Sequence, residues 1–297
     1  MGAGPFPLPD GVVEMLSRCR FPGRGEEIDC AVSGGADSLA LLVLSVAAGC
    51  VATAWHVDHG LREGSSREAD VVREAASRLG AQFQSLRVEV TAGPNLEARA
   101  REARLAALPA GVATGHTADD QAETVLLNLL RGSGRDGLAG MRAGPRHPIL
   151  DLRRHETVGL VASMGWAAVA DPTNDDPLYR RNRVRHELVP LCEAIAGRDV
   201  VPVLARQAVL LAAEAELLDG LAAAVDPTDA AALAGAPVAI ARRAVRAWLR
   251  SGQWRYPPSA ASVERVLEVA LGERRACEVE GGRRVSRSKG RLRIEGE

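Results

Sequence analysis

Through the first half of the chain, short apolar runs alternate with longer stretches whose apolar residues recur at helical spacing. Residues 28–32 read as a buried strand that ends at once in a glycine turn, and residues 39–48 carry the apolar density of a helix. A second strand spans 51–57, a helix with Arg and Glu on its outer face spans 66–79, and the alternation over 82–90 predicts a third strand. Residues 96–108 read as a helix with Arg99, Arg101 and Arg104 along it, 112–114 as a short fourth strand, and 118–130 as a helix. A further helix over 157–164 and a strand over 167–169 follow. Repeated strand–helix units of this kind predict an α/β fold built on a parallel sheet.

The pattern changes around residues 190–198. From residue 200 onward the chain is Ala- and Leu-rich and helical, broken by turns at Asp226-Pro227 and Pro257-Pro258. Residues 277–294 then alternate as β-structure around two glycine turns, Gly281-Gly282 and Lys289-Gly290. The expected organisation is therefore an α/β domain over residues 1–195 and a smaller, mainly helical domain over 196–297 that ends in a short β-element.

Composition adds limits. With 297 residues, 46% hydrophobic and 25% charged, the chain can bury a full core without metal or disulfide staples. The five cysteines are widely spaced, none in a Cys-x-x-Cys pair, and read as reduced thiols of a cytoplasmic protein. No apolar run has the length of a membrane span, and the N-terminus lacks the regions of a signal peptide. A net charge of −1 argues against nucleic acid, yet it conceals two basic clusters. Arg180, Arg181, Arg183 and Arg185 form one; the other fills the C-terminal tail and includes Arg283 and Arg284.

Three motifs carry candidate chemistry. Ser33-Gly34-Gly35-Ala36-Asp37-Ser38 joins a strand to a helix start, where backbone N–H groups and the helix dipole converge on one point and the two glycines admit phosphate oxygens. Asp37 would repel phosphate unless Mg²⁺ lay between them. No Gly-Lys-Ser/Thr follows, so this is not a Walker A loop; it suits pyrophosphate as a leaving group. His56-Val57-Asp58-His59-Gly60-Leu61-Arg62 lies at the carboxyl end of the second strand, the edge that borders the ligand crevice of an open sheet, and alternation alone leaves open which of His56, Asp58 and His59 face a nucleotide. Gly115-His116-Thr117-Ala118-Asp119-Asp120-Gln121-Ala122-Glu123-Thr124 again leads from a strand end into a helix; spacings of three and four place His116, Asp120 and Glu123 together. That cluster could hold a second metal contact, orient an amine and take its proton, or merely compensate the helix dipole.

The loop at 33–38 resembles the PP-loop of the N-type ATP pyrophosphatases. Its companions resemble one family in that class, the bacterial tRNA(Ile)-lysidine synthetases. They are residues 56–62, 95–104, 115–124 running into Arg131-Gly132-Ser133-Gly134, and Asp171-Pro172-Thr173-Asn174 before Arg181-Asn182-Arg183-Val184-Arg185. The match runs in order from about residue 28 to 191.

Membership implies a Rossmann-like PP-loop domain and the following reaction. The wobble cytidine of a CAU-anticodon tRNA(Ile) attacks the α-phosphate of ATP, pyrophosphate leaves, and the ε-amine of free L-lysine displaces AMP. ATP is the substrate and Mg²⁺ the expected cofactor. The resemblance places Ser33 to Ser38, His56 and Asp58 at ATP, with Asp37 and Asp120 near the metal. His116, Arg101 and Arg185 join Asp37 and Asp120 as catalytic candidates. Glu97 and Glu123 are candidates for orienting lysine or the base, and Arg104, Arg181, Arg183, Arg283 and Arg284 for meeting the tRNA. A homodimer is compatible with the sequence but has no specific signal. The rival readings are a tRNA thiolase on the same domain, which needs a cysteine near the activated base, and a nucleotide- or RNA-binding protein without chemistry.

Overall fold

The computed structural model describes residues 9–58, 65–88, 103, 106–169, 176–251 and 258–295. The chain divides into two compact units, Met1–Leu211 and Ala212–Glu297. The division point falls within one long helix, Val201–Ala223.

In the first unit, β1 (Glu27–Ala31), β2 (Val51–Asp58), β3 (Gln82–Arg87) and β4 (Ala113–Thr114) form a parallel sheet in the order β3-β2-β1-β4. Register pairs Cys30 with Ala54 on one side and with Ala113 on the other. After a short α1 (Val12–Ser17), the helix α2 (Ala36–Ala47) follows β1 directly. Leu39 to Leu44 are fully buried, so α2 is apolar all round and packed on every side. It lies against β1, β2, α3 (Ser65–Leu79) and α6, which spans Arg154–Ser163. Such a helix has no room to shift, which matters because its first turn holds the glycine loop. The helix α4 (Ala118–Leu130) continues from β4, and the short α5 (Arg135–Leu138) follows it.

A continuous helical segment then runs through α7 (Arg180–Arg183), a π-helical turn (Val184–Leu188) and α8 (Val189–Ala196). Pro190 has no N–H to give the carbonyl of residue 186, so α-helical pairing fails there and the wider turn takes its place.

The expected strand at 82–90 is observed over Gln82–Arg87, and Val88 extends its pairing through N–H donation to the Asp58 carbonyl at 2.9 Å. The strand expected at 167–169 is not one. Its backbone is used against the glycine loop instead, with the Val169 N–H donating to the Gly34 carbonyl at 3.0 Å. The helix expected at 96–108 lies largely outside the described residues.

The second unit takes the end of α9 (Val201–Ala223), then α10 (Ala230–Gly235), α11 (Val238–Arg250) and α12 (Ala260–Leu271). An antiparallel sheet, β5 (Ala276–Val279), β6 (Arg283–Ser288) and β7 (Arg291–Glu295), closes it. Val245, Leu249, Val263, Val266, Val285 and Leu292 form its core. Lys289 and Gly290 both have positive φ, at 50° and 77°, the two left-handed positions of a type I′ hairpin turn joining β6 to β7. All five cysteines are free thiols, and among the described residues no helix is long and apolar enough to cross a membrane.

Candidate active site

The glycine loop is held from three directions. Ser38 Oγ accepts from the Ser33 N–H at 3.2 Å and donates to the Gly35 carbonyl at 2.8 Å. Its one proton is thereby used, so in the 3.3 Å contact between the two serine hydroxyls Ser33 donates. Gly34 has φ +89°, and a Cβ there would lie 3.0 Å from Val169 Cγ2. Gly115, just past β4, sits so close that a Cβ would lie 2.6 Å from the Asp37 carbonyl oxygen. The loop ends in the first turn of α2, whose N–H groups have no acceptors within the helix and are suited to an anion.

His56 is buried in β2 rather than open to solvent. It is 1% exposed, and its Nδ1 contacts the Val32 carbonyl at 3.0 Å, so Nδ1 carries the proton and braces the end of β1 beneath the loop. Asp58 is partly exposed at the end of β2. Residues 59–62, Glu97, Arg101, Arg104 and residues 171–174 lie outside the described residues.

The Asp37 carboxylate leaves the loop toward α6. Its Oδ1 accepts from the Thr157 hydroxyl, and its Oδ2 lies 3.5 Å from Arg154 Nε. Burial pushes the Asp37 carboxyl above its usual range; Thr157 and Arg154 offset this only in part, and the Asp120 charge adds to it.

Arg154 connects the loop to a second cluster. Its NH2 donates to Asp120 Oδ1 at 2.9 Å and its NH1 to Glu123 Oε1 at 3.1 Å. Glu123, 2% exposed, also accepts from Arg181 Nε at 2.7 Å and from Arg185 Nε at 2.7 Å. Asp120 Oδ2 accepts from the Thr117 N–H and hydroxyl at 2.9 and 3.0 Å, and its Oδ1 meets Arg181 NH2 at 3.2 Å. Burial drives the Asp120 carboxyl up, but the charges of Arg154 and Arg181 and the Thr117 N–H outweigh it and hold it below the usual range. Asp119, the adjacent carboxylate, accepts from the Arg154 N–H at 2.8 Å and from Arg153 Nε at 3.1 Å, fixing the start of α6 against α4.

A pair of imidazoles stands beside this cluster. Thr114 Oγ1 contacts His116 Nδ1 at 2.7 Å, His147 Nδ1 at 2.8 Å and the Arg146 carbonyl at 3.1 Å. The carbonyl can only accept, and the hydroxyl has one proton. All three contacts are satisfied when both Nδ1 atoms donate, which makes Nε2 of His116 the basic nitrogen. The two rings meet edge to face, with centroids 5.1 Å apart.

Asp37, His116, Asp120, Glu123, Arg181 and Arg185 thus come together from widely separated segments. Arg183 does not join them; it is exposed and pairs with Glu187. In the second unit Arg284 is exposed, whereas Arg283 is 3% exposed and donates to the Glu280 and Leu249 carbonyls. Its guanidinium is engaged inside that unit rather than presented to solvent, against the expectation of a solvent-facing residue. Arg154, Thr157 and His147 had no place in the sequence-based expectation; the only signal for the first two was an Arg doublet just before an apolar helix.

Among the described residues no group of three or more His, Cys, Asp or Glu side chains is placed to hold a metal ion. The donor set nevertheless fits Mg²⁺, which takes one or two carboxylates and completes its shell with phosphate oxygens and water. Asp37 supplies one incompletely neutralised carboxylate at the phosphate loop, while both Asp120 oxygens are already engaged.

Residues 14–192 match the family model of the PP-loop domain, and residues 229–293 that of the TilS substrate binding domain. The chain is similar to the tRNA(Ile)-lysidine synthase of Nocardia farcinica, 44% identical over 247 residues that cover 77% of each protein. The synthase of Salinispora arenicola is 40% identical over 298 residues, 89% of each protein. Among solved structures, the U34-tRNA thiolase NcsA of Methanococcus maripaludis is 15% identical with a TM-score of 0.48, over 67% of this chain and 76% of that one. That likeness is too distant to bear on function.

Proposed function

The chain belongs to the PP-loop family of tRNA(Ile)-lysidine synthases, and from that premise we propose that it joins L-lysine to the wobble cytidine of a CAU-anticodon tRNA(Ile) through an adenylated cytidine. The cytidine 2-oxygen attacks the α-phosphate of ATP, the bond to the β-phosphate breaks, and pyrophosphate departs into the loop of Ser33 to Ser38. The lysine ε-amine then attacks C2 of the activated base, AMP leaves with the C–O electron pair, and the amine gives up a proton.

No protein nucleophile is required, so the enzyme's part is positioning, charge stabilisation and proton removal. Mg²⁺, held by Asp37 and the phosphate oxygens, would neutralise phosphate charge when bound. Arg154, Arg181 and Arg185 supply fixed positive charge toward the α-phosphate, each oriented by Glu123 and Asp120. Glu123 has both oxygens engaged by arginines; its role is to hold them rather than to bind the lysine ammonium. His116, with Nε2 basic, is suited to take the amine proton. Glu97, Arg101 and Arg104 keep the roles that the resemblance implies, and the tRNA-binding role of residues 196–297 belongs to the same proposal.

The observation that carries this reading is the bridge from Asp37 through Arg154 to Asp120 and Glu123, which places the pyrophosphate loop beside a preorganised arginine cluster. A sulfur-transfer reading lacks a comparable support: none of the cluster residues is a cysteine, and Cys30 is fully buried in β1. The test combines purified protein, ATP, Mg²⁺, radiolabelled lysine and the tRNA(Ile) transcript. Label enters the RNA with stoichiometric AMP and pyrophosphate. RNA that stays unlabelled while a sulfur donor supports modification overturns the proposal.

A further inference from the structure

An open groove of about 480 Å³ lies between α4 and the α7–α8 helical segment. Its floor is apolar: Leu127 and Leu130 from α4, and Val184, Leu188 and Leu191 from the facing segment. Leu130 and Leu191 are 68% and 55% exposed, so this surface is left open to solvent. Its rim carries Arg131, Arg180 and Arg183 against one carboxylate, Glu187, which is already engaged by Arg183. Apolar body and positive rim together suit a ligand with a flat apolar face and negative charge.

Position narrows the choice. Leu127 and Leu130-Arg131 lie one and two turns beyond Glu123 on the same face of α4, about 6 to 12 Å along its axis at 1.5 Å per residue. Across the groove, residues 180, 183, 184, 187, 188 and 191 face it with helical spacing, while Arg181 and Arg185 of the same segment reach Glu123. The groove is therefore a continuation along α4 of the arginine–carboxylate cluster around Glu123, with one helix as their shared wall. A nucleotide flanking the reacting base of a single strand is the part of an RNA substrate that falls there.

The geometry points to this groove as a docking site for a single-stranded nucleotide next to the modified base, an assignment that rests on the RNA-modifying reading above. The base lies on the leucine floor and against the arginine planes, and the flanking phosphates meet Arg131 and Arg180. Leucines provide a contact that tolerates any base, so the groove contributes affinity and register rather than sequence choice.

The test uses the full chain with Arg131→Gln, Arg180→Gln and the double variant, and with Leu130→Asn as a separate probe of the floor. Affinity for an anticodon stem-loop, measured by fluorescence anisotropy, falls about tenfold in the double variant, and the slope of log K against log salt is reduced by about 0.7 per arginine. In a stem-loop carrying 2-aminopurine beside the target cytidine, binding changes the fluorescence with wild type and not with Leu130→Asn. The KM for ATP and the melting temperature stay at wild-type values in the arginine variants, which separates lost docking from lost folding. Unaltered RNA affinity and salt slope overturn the assignment. So does a shift in sedimentation with RNA affinity unchanged, which would make the groove an interface between copies. If wild type modifies the RNA while the variants bind it normally, the groove fails alone. If wild type binds but does not modify it and the variants still lose affinity, the lysidine reading fails and the groove stands.

Discussion

Replacing Gly115 by alanine tests whether the end of β4 fixes the pyrophosphate loop. The new Cβ would lie 2.6 Å from the Asp37 carbonyl oxygen, 2.7 Å from its carbon and 2.9 Å from the Ser38 nitrogen. Ordinary contact begins near 3.4 Å, so the overlap at the oxygen is roughly 0.8 Å. The atoms in the way are backbone of α2, whose Leu39 to Leu44 are fully buried and cannot retreat. The displacement therefore falls on β4 and the Gly115–Glu123 segment, moving Asp120 and Glu123 relative to Asp37. Overpacking of this kind costs about 1–3 kcal/mol, which at about 2–4 °C per kcal/mol lowers the melting temperature by several degrees. A misplacement near 1 Å costs about 10²-fold in rate. AMP release at saturating lysine and RNA, with thermal unfolding in parallel, reads both. Gly159→Ala is the control: it lies inside α6 with nothing within 4 Å of its Cβ, and it should stabilise by roughly 0.5–1 kcal/mol at full activity. If Gly115→Ala keeps at least half of wild-type turnover and its melting temperature, the loop and β4 are not rigidly apposed and the reasoning fails.

Glu123→Gln removes the charge on which Arg154, Arg181 and Arg185 converge and leaves the three half-buried guanidinium groups to share Asp120, at a cost of about 1–3 kcal/mol; a urea-unfolding loss below about 0.5 kcal/mol would refute a central role for Glu123 in the cluster. Arg154→Lys keeps the charge but cannot span Asp37, Asp120 and Glu123 at once. Its kcat for AMP formation should fall about 10²- to 10³-fold with a smaller change in the KM for ATP, whereas a loss confined to KM would make Arg154 a binding residue only. Burial raises the Cys30 thiol to about 12, so the folded chain keeps a proton that the unfolded chain releases above about 8.5. That stability is complete below pH 8.5 and is lost as pH climbs toward 12. Wild type should therefore lose more stability than Cys30→Ala between pH 8 and pH 10.5, and parallel curves would show the thiol is not the cause.

The elements that position the loop were legible because their signals are local. A buried apolar run met two glycines at 34 and 35, and the turn at Lys289-Gly290 was marked by its glycine, although its type I′ geometry, with Lys289 at φ 50°, was not. The strand expected at 167–169 failed for the opposite reason: a short apolar run does not say whether its N–H groups will join a sheet, and here Val169 gives its N–H to Gly34. Arg154 and Thr157 were missed because their partners, Asp37, Asp120 and Glu123, lie from 31 to 120 residues away. In a chain whose positive charge is nearly all arginine, a doublet of arginines carries little information by itself.

Arg283 sharpens the point. It was expected to face RNA, yet it lies two residues before Val285, so the period-two pattern of β6 already placed both on the inner face. Weighing its charge above its periodicity produced the error. The same rule favours the groove beside α4: residues 180, 183, 184, 187, 188 and 191 share a helical face, and on that face the arginines are exposed. Periodicity sorts the basic residues of this chain into those that point inward, such as Arg181 and Arg185, and those that can meet a ligand from solvent, such as Arg180. For an arginine drawn partly out of solvent the fold must then supply the carboxylate or carbonyl that makes this tolerable. Glu123 does so for three of them at the candidate site, and that convergence is what no single stretch of sequence displays.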